Sequence, residues 1–153
     1  MTPRPPTRPA RTRGFTLIEL VVAMLVAGVL VAMATASYLA QTRRSRRVEA
    51  KTAVLDLAGR EERNYSTTNT YSAVAGNLGY AGNFPVVVGG GYYQVTVAAP
   101  VPAAGAPATF TITATPLGNQ TQDTSCASFS VDQTGAQSAL STGAVDTTAT
   151  CWR

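Results

Sequence analysis

Histidine is absent from the 153 residues, which excludes imidazole as a general base or metal ligand. Cysteine occurs only as Cys126 and Cys151, too few for a four-thiolate zinc site. Charge is scarce at 13 % of residues, against 45 % hydrophobic; the usual charged share is about 25 %. That balance excludes a disordered polyelectrolyte and implies that part of the chain avoids water. The length allows one ordinary domain, or a small domain with an appendage. The net charge of +4 hints at a nucleic-acid partner, but Arg4, Arg8, Arg11 and Arg13 all lie in the first 13 residues. Without those four of the 12 basic residues, eight face eight acidic ones, so the charge excess belongs to one short segment. No nucleophile stands beside a base, and no Gly-rich phosphate loop follows a strand. Gly89-Gly90-Gly91 reads as a turn. Asp123, Asp132 and Asp146 lack the dense spacing of a calcium loop. The chain reads as a non-enzyme with no cofactor and no metal site.

What is present begins with a basic, Pro-rich flank over residues 1–13, without apolar periodicity. From Leu20 to Thr42 there are 23 residues without a charge. As a helix, Leu20 onward spans roughly 30 Å within about 20 residues, the thickness of a bilayer core. Three readings fit this run. One is a secretory signal cut after Ala34-Thr35-Ala36, releasing a chain that starts at Ser37. The second is a plain single-pass anchor. The third starts from Glu19, which a signal or simple anchor has no reason to carry, because a carboxylate at membrane depth costs about 2.5–3.5 kcal/mol.

Gly14-Phe15-Thr16-Leu17-Ile18-Glu19, followed by the long apolar run, resembles the class III signal of type IV pilins and pseudopilins. The resemblance implies cleavage by a prepilin peptidase after Gly14 and N-methylation of Phe15, leaving 139 residues. It makes residues 1–14 a leader peptide. Glu19 then has a role in assembly: the amine of a neighbouring subunit's Phe15 neutralises it, and a buried charge gains most when paired. Glu19 thereby sets one axial register. The competing reading leaves Glu19 solvated at the lipid interface.

Beyond Thr42 come Arg43, Arg44, Arg46 and Arg47, read as a solvated, membrane-proximal helix face rather than a nucleic-acid patch. Ala50, Val54, Leu57, Ala58 and Tyr65 then form one stripe of a 3.6-residue period, interrupted by Glu61. Asp56 and Arg60 are an i,i+4 pair. One helix is expected over residues 15–64, with residues 15–42 in the membrane or filament core: a handle whose second half packs on a head. Many pilins of the family kink this helix at a Pro; here Ala36 stands there, with no Pro between Pro9 and Pro85.

Residues 65–153 are expected to form the head. Residues 65–91 read as a long connection with at most short elements. Alternation predicts strands over Tyr92–Ala99, Ala108–Thr115 and Ala127–Asp132, with Tyr93, Val95, Val97, Phe110, Ile112, Ala114, Phe129 and Val131 facing inward. Asp132–Gly135 reads as a turn into a short fourth strand near Ala136–Ala139. The fold class is α+β: a long N-terminal helix packed on a small antiparallel sheet. If the head is exported, Cys126 and Cys151 form a disulfide; otherwise they are two buried thiols. Their layout, with Trp152 after Cys151, resembles the disulfide-bounded C-terminal region of PilE-like pilins of type IVa systems.

The resemblance implies a structural subunit of a type IV pilus, serving adhesion, twitching motility or DNA uptake. It implies a single-pass inner-membrane location with the head in the periplasm, then an extracellular filament. Its partners are other copies or other pilins, the peptidase, and an inner-membrane assembly platform with its ATPase. DNA as a partner has no support in the neutral mature chain. The alternatives are a type II secretion pseudopilin, against which the cysteine pair argues, and a minor pilin with a ligand-binding head.

Overall fold

A computed structural model describes residues 14–153; of the expected leader, residues 1–13 lie outside the described residues. The chain divides into two compact units, Met1–Leu39 and Ala40–Arg153.

In the first unit, helix α1 (Leu17–Thr68) begins two residues after the expected start. Thr16 is the reason: its hydroxyl accepts from the Glu19 N–H at 3.4 Å, and its carbonyl accepts the Leu20 N–H at 3.3 Å. Thr16 is thus the N-cap, and Thr16-Leu17-Ile18-Glu19 has the T-x-x-E spacing of a capping box. The segment is long and apolar enough to cross a membrane, and none of its apolar window is buried.

In the second unit, α1 continues to Thr68, four residues past the expected end. Ser66, Thr67 and Thr68 form its last turn, where their hydroxyls bond back to the carbonyls of Arg63 and Asn64 at 2.7–2.9 Å, a local alternative to the helical ladder that suits a helix end. Asn69, at φ 57°, then stops the helix in the left-handed conformation that Asn tolerates.

The remaining chain forms a five-stranded antiparallel meander in sequential order. Its strands are β1 (Val86–Val88), β2 (Tyr93–Ala98), β3 (Thr111–Pro116), β4 (Ser128–Asp132) and β5 (Gln137–Leu140). Registers such as Val95↔Ala114 and Ala114↔Phe129 align the apolar alternations across strands. Tyr93, Val95, Phe110, Ile112, Ala114, Phe129 and Val131 are buried as expected, and Ala50, Val54 and Leu57 of α1 cover them. Val97 is only partly buried, at the end of the sheet. The strand β1 lies within the expected connection, as does a 3₁₀ turn at Ala75–Leu78. Three consecutive valines are a β signal, too short to show alternation.

Glu61 differs most from expectation. It does not break the stripe but completes it, fully buried. One oxygen accepts the Ser72 N–H at 3.0 Å and the other has no partner. Burial pushes its carboxyl above the usual range, more strongly than the Ser72 bond lowers it.

Candidate assembly surfaces

At the N-terminal end, Gly14 has open space where a side chain would stand, and Phe15 is 82 % exposed. Glu19 lies in the first turn of α1, where a carboxylate complements the positive end of the helix dipole. Leu17, Ile18, Leu25, Leu30 and Met33 are all exposed. Such a surface requires lipid or other chains around it. Thr16 is a functional neighbour that the sequence reading passed over, although the T-x-x-E spacing announces it.

The Arg cluster is not a uniformly solvated face. The Arg43 guanidinium donates to Gln122 Oε1 at 2.7 Å. Arg46 lies 3.6 Å over the Tyr92 ring. Arg47 grips Asp123 through two hydrogen bonds, each 2.7 Å. Gln120, also buried, donates to Tyr93 Oη at 3.0 Å and to the Arg43 carbonyl at 3.3 Å. Burial pushes the Tyr93 hydroxyl up to about 12, so it stays neutral inside this network. Arg43 and Arg47 therefore fasten α1 to the turn at Gly118–Gln122 and to Asp123 after it, and Arg46 fastens it to Tyr92 just before β2. Arg44 alone of them is exposed. Neither the partners nor the turn are near in sequence, so periodicity has no means of revealing them.

Cys126 and Cys151 form a disulfide with Cα atoms 5.9 Å apart. Helix α2 (Thr148–Cys151) and the loop before it lie along the outer edge of β5. Thr147 N–H donates to the Ala139 carbonyl at 2.9 Å, and Ala139 N–H donates to Thr148 Oγ1 at 2.9 Å. The C-terminal region thus covers a sheet edge that would otherwise be open to pairing. Asp132 organises its turn by accepting from the Thr134 hydroxyl and from the Thr134 and Ala136 N–H groups, which hold its carboxyl below the usual range, the Thr134 hydroxyl most of all. Asp146 likewise accepts from Thr148 N–H at 2.8 Å. No cluster of three or more metal-ligating side chains occurs among the described residues.

Residues 9–35 match the family described as "Prokaryotic N-terminal methylation motif". Residues 36–130, more than half of the chain, match the family described as "Type IV minor pilin ComP, DNA uptake sequence receptor". The chain belongs to the type IV pilins. A curated relative, the type IV major pilin protein PilA of Myxococcus xanthus, is 38 % identical over 105 residues. That alignment covers 63 % of this chain and 48 % of the relative, so this pilin spans about half the length of the protein it matches. Among solved structures, a type IV pilin from Shewanella oneidensis is 25 % identical, over 62 % of this chain and 89 % of that one, with a TM-score of 0.42.

Proposed function

We propose that this pilin is a structural subunit of a type IV pilus, stored in the inner membrane and polymerised through the N-terminal part of α1. The observation that carries this reading is the exposed apolar surface of residues 17–39, headed by one carboxylate, Glu19. Moving that surface from lipid to a filament core exchanges one apolar environment for another. Assembly therefore costs little hydrophobic energy, and an assembly platform with its ATPase sets the direction. The prepilin peptidase cuts after Gly14 and methylates Phe15, and the new amine of one copy meets Glu19 of the next. Mass spectrometry of sheared filaments tests this: a subunit beginning at N-methyl-Phe15 is expected, whereas one beginning at Ser37 overturns it. Glu19→Ala is expected to insert normally and to lower incorporation into filaments at least several-fold.

The family description favours a second role, a head that contacts DNA. From Asn64 to Trp152 there is no Lys or Arg, so beyond the leader the basic side chains that can meet phosphates stand only on α1 and at Arg153. DNA binding by the processed chain, residues 15–153, in detergent is then expected to be weak, with a salt dependence worth few phosphate contacts. A steep salt dependence, or sequence-specific nanomolar binding, contradicts that expectation.

A further inference from the structure

Arg60, Arg63, Asn64 and Thr67 stand at i, i+3, i+4 and i+7 of α1, one polar stripe along its last turns. The 3₁₀ turn at Ala75–Leu78 sets Asn77, Leu78 and Gly79 against that stripe, and together they line a cavity of about 310 Å³. Gly79 allows the approach: it takes φ 79°, and a Cβ there would stand 2.9 Å from Arg60 Nη1. Among the described residues, no acid and no aromatic ring lines this cavity. Arg60 is neutralised by Asp56, to which its Nε donates at 2.8 Å, while its Nη1 donates to the Leu78 carbonyl at 3.1 Å. The Arg63 guanidinium has no acceptor and no acid partner among the described residues. Glu62, next to it in the chain, accepts the Tyr71 hydroxyl at 3.1 Å instead, and Glu61 is buried against the Ser72 N–H. The cavity therefore carries one unpaired positive charge. The amides beside it supply the opposite kind of group. Asn64 Nδ2 donates to the Thr70 carbonyl at 2.9 Å and Asn77 Nδ2 to Ser72 Oγ at 2.9 Å, which leaves both amide oxygens as acceptors without a donor. Thr67 gives its hydroxyl proton to the Asn64 carbonyl at 2.9 Å, so its oxygen also stands ready to accept.

We propose that this cavity binds a sugar acid, a small ligand with one carboxylate and several hydroxyls, either free or as a unit of an acidic polysaccharide. The carboxylate pairs with Arg63 in the bidentate geometry that a guanidinium favours. The hydroxyls donate to Asn64 Oδ1, Asn77 Oδ1 and Thr67 Oγ1. The volume lies at the lower end of the range for ligand sites, about 300–1,000 Å³, which suits a single sugar ring. An inorganic oxyanion brings too few protons for these acceptors, and one unpaired cation suits a carboxylate better than a dianion. A nucleic acid would want rings to stack on and a row of cations along its backbone, and the cavity has neither. The inference goes beyond the pilus-subunit reading and stands whether or not copies polymerise.

The test titrates sodium glucuronate into the full chain in detergent at constant ionic strength and reads the side-chain amides of Asn64 and Asn77 by NMR. Saturable shifts of both are expected at millimolar concentration, as befits a small, open contact. Glucose, which lacks the carboxylate, and inorganic phosphate, which lacks the hydroxyls, are expected to bind about tenfold more weakly. Arg63→Gln is expected to weaken glucuronate binding about tenfold. Arg63→Lys keeps a cation near the helix end but loses the planar fork, and is expected to weaken it about threefold. Arg63 is exposed, so Trp152 fluorescence stays unchanged in both variants. Phosphate binding as tight as that of glucuronate overturns the proposal, as do shifts that never saturate, an affinity indifferent to Arg63→Gln, or displacement of glucuronate by a DNA duplex. Displacement by an oligogalacturonide assigns the site to a unit of an acidic polysaccharide, whereas binding of glucuronate without the oligomer assigns it to the free acid.

Discussion

At the scale of single residues, polar side chains under the apolar surface set conditions that composition does not reveal. Glu61 is the clearest. Its pKa is raised in the folded head by burial, so the folded state favours the protonated form more than the unfolded state does. Its contribution is therefore fully present below its ordinary value of 4.5 and is lost as pH rises through the elevated folded value. Glu61→Gln keeps an acceptor for Ser72 N–H and removes the titration. The stability of the original chain relative to this variant is expected to fall as pH increases from 4.5 toward neutrality. Denaturant midpoints of the full chain in detergent, read by Trp152 fluorescence, check this. A pH-independent difference rejects it. Glu61 was legible as a helical residue but not as a buried one, because its acceptor role depends on Ser72, eleven residues on and beyond the helix end.

At the scale of elements, α1 is held to the sheet by two different means. Ala50, Val54 and Leu57 bury apolar area, which period 3.6 announces in advance. Arg43, Arg46 and Arg47 add a polar clamp from the same helix, which the sequence presents only as a run of like charges. The Arg47–Asp123 pair is the strongest part, because Asp123 is only 4 % exposed and Arg47 18 %. Removing one partner leaves the other nearly desolvated, a situation worth about 3–5 kcal/mol when burial is complete. For this partly hydrated pair, Asp123→Ala is expected to destabilise the head by about 2–3 kcal/mol. Replacing Arg47 and Asp123 together by Met and Leu is expected to cost less than Asp123→Ala alone. Urea unfolding of the full chain measures both, and equal losses in the two variants contradict the desolvation argument. The strands followed their alternation, since each has one face on α1 and one toward solvent. The exception, β1, is three residues long and is recognisable only through its pairing of Val86, Val87 and Val88 with Val95, Gln94 and Tyr93.

At the scale of the whole molecule, the described head has a small core and few devices to spare. Its disulfide closes a segment of 25 residues that carries β4, β5 and α2. Chain entropy assigns such a closure about 3–4 kcal/mol, a large share of a stability that is typically 5–15 kcal/mol. Cys126→Ser with Cys151→Ser is therefore expected to lower the unfolding free energy by about that amount. It should also release the segment that caps β5, which amide exchange at Ala139 and Leu140 reads directly. Unchanged exchange there, with the disulfide absent, contradicts the assigned role of the C-terminal region.

The sequence by itself determined the features that rest on neighbours in the chain. These are the Gly14-Phe15 junction with Glu19, the uncharged run from Leu20 to Thr42, the helical stripe, and the inward faces of β2, β3 and β4. Each depends on spacing, and spacing survives without a fold. The tertiary structure alone decided which way the arginines point, that Glu61 is inside, and that Val86–Val88 is a strand. Those features depend on groups dozens of residues away, such as Asp123 for Arg47, and the sheet must form before they meet.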